Sequence, residues 1–259
     1  MKLEYEIALE FFLWGVEVFS RRDCGLILAG FRHTTSERHL EQLLERWRRQ
    51  QLVTRHGRGR NAEFTITDRG RERVGVFNPH RPWSAPWDGK WRVFSFDLPS
   101  DRRKDRTRLW RALHNAKLGC LQHSVWVWPH DVETLLRETI QAQGIPECFC
   151  GFEANRLFLC NNAEVVVTAW NFEEITHRHD TYLHHQVATP ASLNRARDLT
   201  ELAHVARIER DAYQYAFSLD PMLPRILWPE HYTGVLVEER HQHFRATLQR
   251  RLQELRSAP

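Results

Sequence analysis

Thr34-Thr35-Ser36-Glu37-Arg38-His39-Leu40-Glu41-Gln42-Leu43-Leu44-Glu45-Arg46-Trp47, and after it Val53-Thr54-Arg55-His56-Gly57-Arg58-Gly59-Arg60-Asn61-Ala62-Glu63-Phe64-Thr65-Ile66-Thr67, decide the fold of the N-terminal third. Thr34 and Glu37 have the spacing of a capping box, so a helix is expected to start there. Leu40, Leu43, Leu44 and Trp47 recur at helical spacing and give that helix one apolar face. Arg38, Gln42, Glu45 and Arg49 occupy the opposite face. Val53–Arg55 reads as a strand, residues 56–61 as a turn rich in Gly and Arg, and Glu63–Thr67 as the returning strand. A helix followed by a basic hairpin is the order of a winged helix-turn-helix. In that fold one helix enters the major groove and the hairpin grips flanking phosphates.

The charge distribution points the same way. Segment 46–73 holds nine arginines against Glu63, Asp68 and Glu72. The chain's whole excess of +4 lies within residues 1–82, and the remainder is balanced. An electropositive helix-hairpin is the footprint of a nucleic-acid binder, although solvated Arg-rich faces also occur without one.

With 259 residues, 42% apolar and 27% charged, the chain is expected to form two or three soluble globular domains. Met1–Glu6 has no basic leader, and the apolar run Ala8–Phe19 is short and interrupted by Glu10 and Glu17, so neither a signal peptide nor a membrane span is expected. The cysteines are Cys24, Cys120, Cys148, Cys150 and Cys160. An odd number without a secretion signal suggests reduced thiols in the cytoplasm. Cys148 and Cys150 lie two apart, but paired CxxC motifs are missing, so they read as strand residues and not as metal ligands.

Along the chain, residues 4–19 suggest a first helix, apolar nearly all round and so suited to a second surface. Ser20 and Asp23 suggest a short second helix ended by Gly30. Pro79, Pro82 and Pro86 with Trp83 and Trp87 mark a packed linker over Val76–Asp88. Beyond it, Lys90–Asp97, Arg102–Lys117, Gly119–Gln122, Ser124–Trp128, Val132–Gln143 and Glu147–Glu153 give the order β-α-β-β-α-β, the ferredoxin-like split unit. From Asn161 helices are expected. Within them Val165-Val166-Val167 alone favours a strand. Asp220–Pro224 then breaks the chain before a long final helix over Thr233–Leu255.

Three motif groups now fall in order. Trp87-Asp88-Gly89-Lys90-Trp91-Arg92 precedes the first central strand. Phe96-Asp97-Leu98-Pro99 and Ser124-Val125-Trp126-Val127-Trp128-Pro129 lie in the ferredoxin-like unit. Asp220-Pro221-Met222-Leu223-Pro224 with Trp228-Pro229-Glu230 marks the tail. Together they resemble the PaaX family of bacterial transcriptional regulators. The resemblance implies an α+β chain: a DNA-binding winged helix-turn-helix (1–82), a ferredoxin-like domain similar to a small CRISPR-associated nuclease (83–160), and a helical C-terminal domain (161–259). It also implies a homodimeric repressor, bound to double-stranded operator DNA and released by an acyl-coenzyme A or aromatic-acid effector. On this reading Thr35, Ser36, Arg38, His39 and Gln42 meet base edges, and Arg55, Arg58 and Arg60 meet phosphates or the minor groove. Trp126, Trp128, Trp170 and Trp228 could wall an effector site among the central and C-terminal domains, or simply be core. The first helix and the central sheet are the candidate dimer interfaces.

Other clusters have plainer readings beside the functional ones. Asp97 stands where the related nucleases place a metal-binding carboxylate, but it could equally tie its strand to Arg102 or Arg103, with Asp101 as helix cap and Asp105 in the first turn. His177, His179, Asp180, His184 and His185 could hold a metal or phosphate, or form a solvated helix face. Arg102, Arg103, Lys104, Arg106 and Arg108 could receive a coenzyme A phosphate or form ion pairs. No nucleophile triad, P-loop or dinucleotide fingerprint is present. The expectation is therefore a regulator without cofactor or catalysis. The rival readings are a metal-dependent nuclease built on the central domain and an assembly module.

Overall fold

Residues 18–21, 24–25, 36–57, 59, 62–70, 80–144 and 149–257 are described by the computed structural model. The first elements are strand β1 (Val18–Ser20), helix α1 (Glu37–Arg49) and strands β2 (Val53–His56) and β3 (Glu63–Ile66). The strands form an antiparallel sheet in the order β1-β3-β2, with Val53 opposite Ile66 and Val18 opposite Thr65. The helix expected over 4–19 therefore does not reach its C-terminal end: Val18 and Phe19 are extended, and their backbone completes the edge beside β3. Most of that helix, and most of the second, lies outside the described residues.

Helix α1 starts two residues later than the Thr34 box implies. Ser36 is the N-cap, its Oγ accepting from the His39 backbone N–H. Either Ser or Thr can supply that oxygen, so the sequence pattern names the right chemistry at the wrong residue. Leu40, Leu43, Leu44 and Trp47 are buried as the spacing predicts. They share a core with Leu52, Val53, Phe64 and Ile66 of the sheet. Thr67 closes the base of the hairpin, its hydroxyl donating to Gln51 O at 2.6 Å and accepting from Gly70 N–H at 3.0 Å.

The central segment follows as α2 (His80–Trp83), β4 (Trp91–Phe96), α3 (Arg103–Asn115), β5 (Gly119–Gln122), β6 (Val125–Trp128), α4 (Glu133–Gln143) and β7 (Phe149–Ala154). The sheet order is β5-β6-β4-β7 with every neighbour antiparallel, which is the split β-α-β arrangement expected. Central β4 is covered on both faces. Phe94 and Phe96 pack with Leu109, Leu113 and Trp126, while Trp91 packs with Val166, Trp170 and Leu227. Trp83, in the proline-rich linker, is buried edge-on against Trp228 and Tyr232.

Helices α5 (Asn162–Ala169), α6 (Phe172–Leu183), α7 (Pro190–Arg195), α8 (Leu199–Ala216) and α9 (Gly234–Ser257) complete the chain. The valine run that alone favours a strand is helical. Asn161 and Glu164 form a full capping box at its start, and Val165 and Val166 are buried while Val167 is exposed. The cap and one buried face outweigh the β-propensity of three residues.

By contacts the chain forms two units. One comprises residues 1–78, 180–215 and 235–259, and the other residues 79–179 and 216–234. In the first, Leu199, Leu202, Ala206, Phe244, Leu248 and Leu252 belong to the same core as α1. The first unit also buries two carboxylates. Glu209 accepts from the Tyr182 hydroxyl at 2.5 Å and lies 2.8 Å from His241 Nδ1, and Glu238 accepts from the Tyr213 hydroxyl. Buried polar groups paired in this way fix the helices' mutual rotation.

Gly119 of β5 gives the second unit a sharp test. A Cβ there would lie 2.6 Å from the Trp170 ring and 2.8 Å from Ala169 Cβ. The Trp170 ring is buried and its Nε1 donates to Lys117 O at 2.9 Å, so it has little room to yield. Gly119→Ala is expected to cost about 1–3 kcal/mol, the penalty of overpacking, measured as a lowered urea midpoint with secondary structure retained. A wild-type midpoint would disprove the tight contact.

Candidate nucleic-acid interface

Because α1 buries Leu40, Leu43, Leu44 and Trp47, the opposite side must face outward. Ser36, Arg38, His39 and Gln42 are all exposed. Arg38 and Gln42 stand one turn apart, and neither is engaged by any other described residue. Ser36 and His39 are engaged with each other, Ser36 Oγ lying 3.1 Å from His39 Nδ1. Arg55, exposed on β2, reaches among the described residues only the Gly59 carbonyl, at 3.5 Å. Gly57 and Gly59 adopt φ of +81° and +73°, a left-handed backbone that glycine takes without strain. Thr35, Arg58 and Arg60 lie outside the described residues.

The basic character of α1 is not uniform around its circumference. Glu37, Glu41 and Glu45 form a stripe at i, i+4 and i+8, and each is met by arginine. Arg21 sits 2.6 Å from Glu41 and 4.0 Å from Glu37. Arg48 and Arg49 reach Glu45 at 2.7 and 3.1 Å. Hydrogen bonding from Arg48, aided by Arg49, holds the Glu45 carboxyl down at about 2. This side borders a groove of about 370 Å³ lined by Glu37, Glu41, Glu45, Arg21, Arg48 and Arg55. Such mixed charge suits internal ion pairing better than an apolar ligand. Arg38, on the side it shares with Gln42, is therefore an arginine of α1 that no other described residue engages.

The other sequence candidates resolve differently. Asp97 is exposed and forms no bond with any other described residue, so the expected tie to Arg102 or Arg103 is absent. Arg102 instead binds Asp105 at 2.8 Å, Arg108 binds it at 2.5 Å, and Arg106 donates to Leu98 O. Asp101 does not cap the helix, since Arg102 stands at the cap position without a side-chain bond. Most of the expected basic cluster is thus spent on its own helix start, while Arg103 and Lys104 remain exposed.

The histidine cluster does not converge. His177 is exposed, His184 Nδ1 contacts its own helix at Asp180 O, and His179 is fully buried. His179 Nε2 lies 3.2 Å from Asp220 Oδ2, and its Nδ1 lies 3.0 Å from Thr233 Oγ1. Among the described residues no three His, Cys, Asp or Glu are placed to hold a metal. Trp126 and Trp170 are buried in the second unit's cores, with Trp128 and Trp228 packed against them. No described helix is long and apolar enough to cross a membrane. The role of Asp220 went unread in the sequence, although Asp-Pro before a break is a recognisable turn signal.

Glu45 is partly exposed, so its depressed titration depends on arginines that salt can screen. Its stabilising pairs are complete above the ordinary value of 4.5 and are lost as pH falls towards about 2. A carbon-detected NMR titration is expected to place its midpoint near 2, and high salt or Arg48→Ala to move it upward. A midpoint at 4.5 in low salt would refute the pairing.

Residues 84–166 match the model of the PaaX protein central Cas2-like domain. No curated protein matches the chain. Among solved structures it is similar to an uncharacterized protein, Rv0674, from Mycobacterium tuberculosis, at 19% identity, covering 91% of this chain and 90% of that one with a TM-score of 0.54. At that identity the likeness concerns the fold alone, but it extends well beyond the central domain. The matched segment contains β4 to β7 and both helices between them, so the likeness to the PaaX proteins is to their central Cas2-like domain.

Proposed function

We propose that this protein is a sequence-specific, double-stranded-DNA-binding transcriptional regulator, acting as a homodimeric repressor. The observation that carries the reading is the exposed Arg38–Gln42 side of α1, with its opposite side buried and a basic hairpin following directly. Gln and Arg are the side chains best suited to bidentate contacts with adenine and guanine in the major groove. Ser36 and His39 flank that side at the helix N-terminus, and Thr35 immediately precedes them in the sequence. Arg55, with Arg58 and Arg60 of the hairpin turn, would grip the backbone. The likeness of the central domain to that of a regulator family supports the same reading, and the Cas2-like domain then serves as scaffold without catalysis.

Repression that can be relieved requires an effector with unequal affinity for two states of the protein. An acyl-coenzyme A or an aromatic acid is the class that the family resemblance implies. Thermal-shift screening of such compounds tests this point. A hit should both stabilise the protein and loosen DNA, and the absence of any would mean constitutive repression.

Arg38→Ala or Gln42→Ala is expected to cost about 1–3 kcal/mol at the preferred site and to relax preference at one base position. Arg55→Ala should weaken all sequences alike and lower the salt slope by about one. Genomic footprinting that finds no preferred site at any salt would defeat the reading. Cleavage of DNA with Mg²⁺ or Mn²⁺ that Asp97→Ala abolishes would replace it with a nuclease.

A further inference from the structure

Helix α3 carries five basic residues against the single acid Asp105, within residues 83–259, whose charges balance overall. Asp105 is held by Arg102 and Arg108 at 2.8 and 2.5 Å, and Arg106 turns to the Leu98 carbonyl. What remains is a stripe. Arg103, Thr107, Trp110, Arg111 and His114 recur at helical spacing with Lys104 beside them, all exposed, while Leu109 and Leu113 on the other side are buried. The side chains of Arg103, Lys104 and Arg111 are engaged by no other described residue. Arg103 and Arg111 stand about 12 Å apart along the helix axis, so the face runs the length of α3 and is not confined to its first turn. Trp110 is 43% exposed among these cations. Its ring lies 3.9 Å from the His114 ring, and both stand edge-on to Trp126, which is fully buried. With Trp126 filling the core behind it, the indole keeps a face in solvent. Partial burial holds the His114 imidazole below its ordinary range, so it adds aromatic surface and not another cation.

We propose that this face of α3 is a second nucleic-acid surface, one that binds single-stranded DNA without sequence preference. Cations without a protein partner follow the phosphates, and an exposed aromatic ring takes an unstacked base. The two together are the combination by which single strands are held. A duplex would engage the cations but keep its base faces stacked inside, leaving Trp110 without a role. A convex helix face encloses little of a small ligand, whereas a polymer gathers several weak contacts along it. The choice of DNA over RNA rests on the proposed regulator reading.

Fluorescence anisotropy of a labelled oligo(dT) of about 16 nucleotides, titrated with the full chain over a series of salt concentrations, tests the surface. The wild type is expected to bind, and Arg103→Ala with Arg111→Ala to lower the salt slope by about 0.7 for each cation removed. Trp110→Leu should weaken binding about tenfold at an unchanged slope, and Trp110→Phe should largely keep it. A general loss of folding does not split affinity from slope in this way. No binding of oligo(dT) at low salt, or binding indifferent to all of these changes, would overturn the proposal. A random duplex that loses as much as oligo(dT) on Trp110→Leu would overturn it in favour of a duplex-backbone contact. Oligo(rU) held about tenfold more tightly than oligo(dT) would overturn the choice of DNA. Preferred duplex sites without oligo(dT) binding would refute this surface and spare the regulator reading. Trp110-dependent oligo(dT) binding without preferred duplex sites would do the reverse.

Discussion

The carboxylate of Asp220 joins its own loop to helix α6 and to the turn before α9. Its Oδ1 accepts from Met222 N–H at 2.8 Å, and its Oδ2 accepts from the Tyr232 hydroxyl at 2.5 Å and lies 3.2 Å from His179 Nε2. Asp220 and His179 are almost entirely inaccessible to solvent. Burial next to this carboxylate pushes the Tyr232 hydroxyl well above its ordinary range, so it remains a donor. His179 and Gly234 are the last residues of the second unit at two of the four points where the chain changes unit, and Thr233 adjoins the later of them. Removing one partner of a buried polar group leaves that group unsatisfied, at a cost of about 1–3 kcal/mol. The Asp-Pro motif is therefore best understood as a buried polar tie within the second unit, between α6 and the segment that leads into α9.

The local elements were largely legible in the sequence, because short-range physics sets them. The spacing of Leu40, Leu43, Leu44 and Trp47 gave the buried face of α1, and alternating apolar residues gave β4. Errors arose where two nearby residues could do the same job, as with Thr34 and Ser36 at the helix cap. They arose again where tertiary pairing overrode local preference, as in the extended Val18 and Phe19 and the helical Val165–Val167. Periodicity says which face of a helix is apolar but not what it meets. The apolar faces of α8 and α9 therefore gave no hint that Leu202 and Phe244 share a core with Leu43.

The candidate site was legible in part for a related reason. Residue type and helical spacing identify an outward polar face, so Arg38 and Gln42 could be picked out directly. Counting arginines overstates the positive charge that α1 can offer. Arg21, Arg48 and Arg49 are engaged by the glutamate stripe, and only coordinates reveal which cation meets which anion. Exposed pairs of this kind contribute little to stability. Their larger effect is on direction: they confine the attraction for an anionic partner to one side of the helix.

The interleaving of the two units bears on the order in which the molecule can be made. Residues 1–78 leave the ribosome long before α9, which supplies Phe244, Leu248 and Leu252 to the core they share. At ordinary elongation rates the delay is roughly ten to thirty seconds. Throughout it Leu43, Trp47 and Phe64 have only part of their eventual covering. The central sheet, drawn mostly from one continuous stretch, has no such wait. The nascent chain should thus acquire its middle first and its beginning last, and α1 gains its full support only when synthesis is nearly finished.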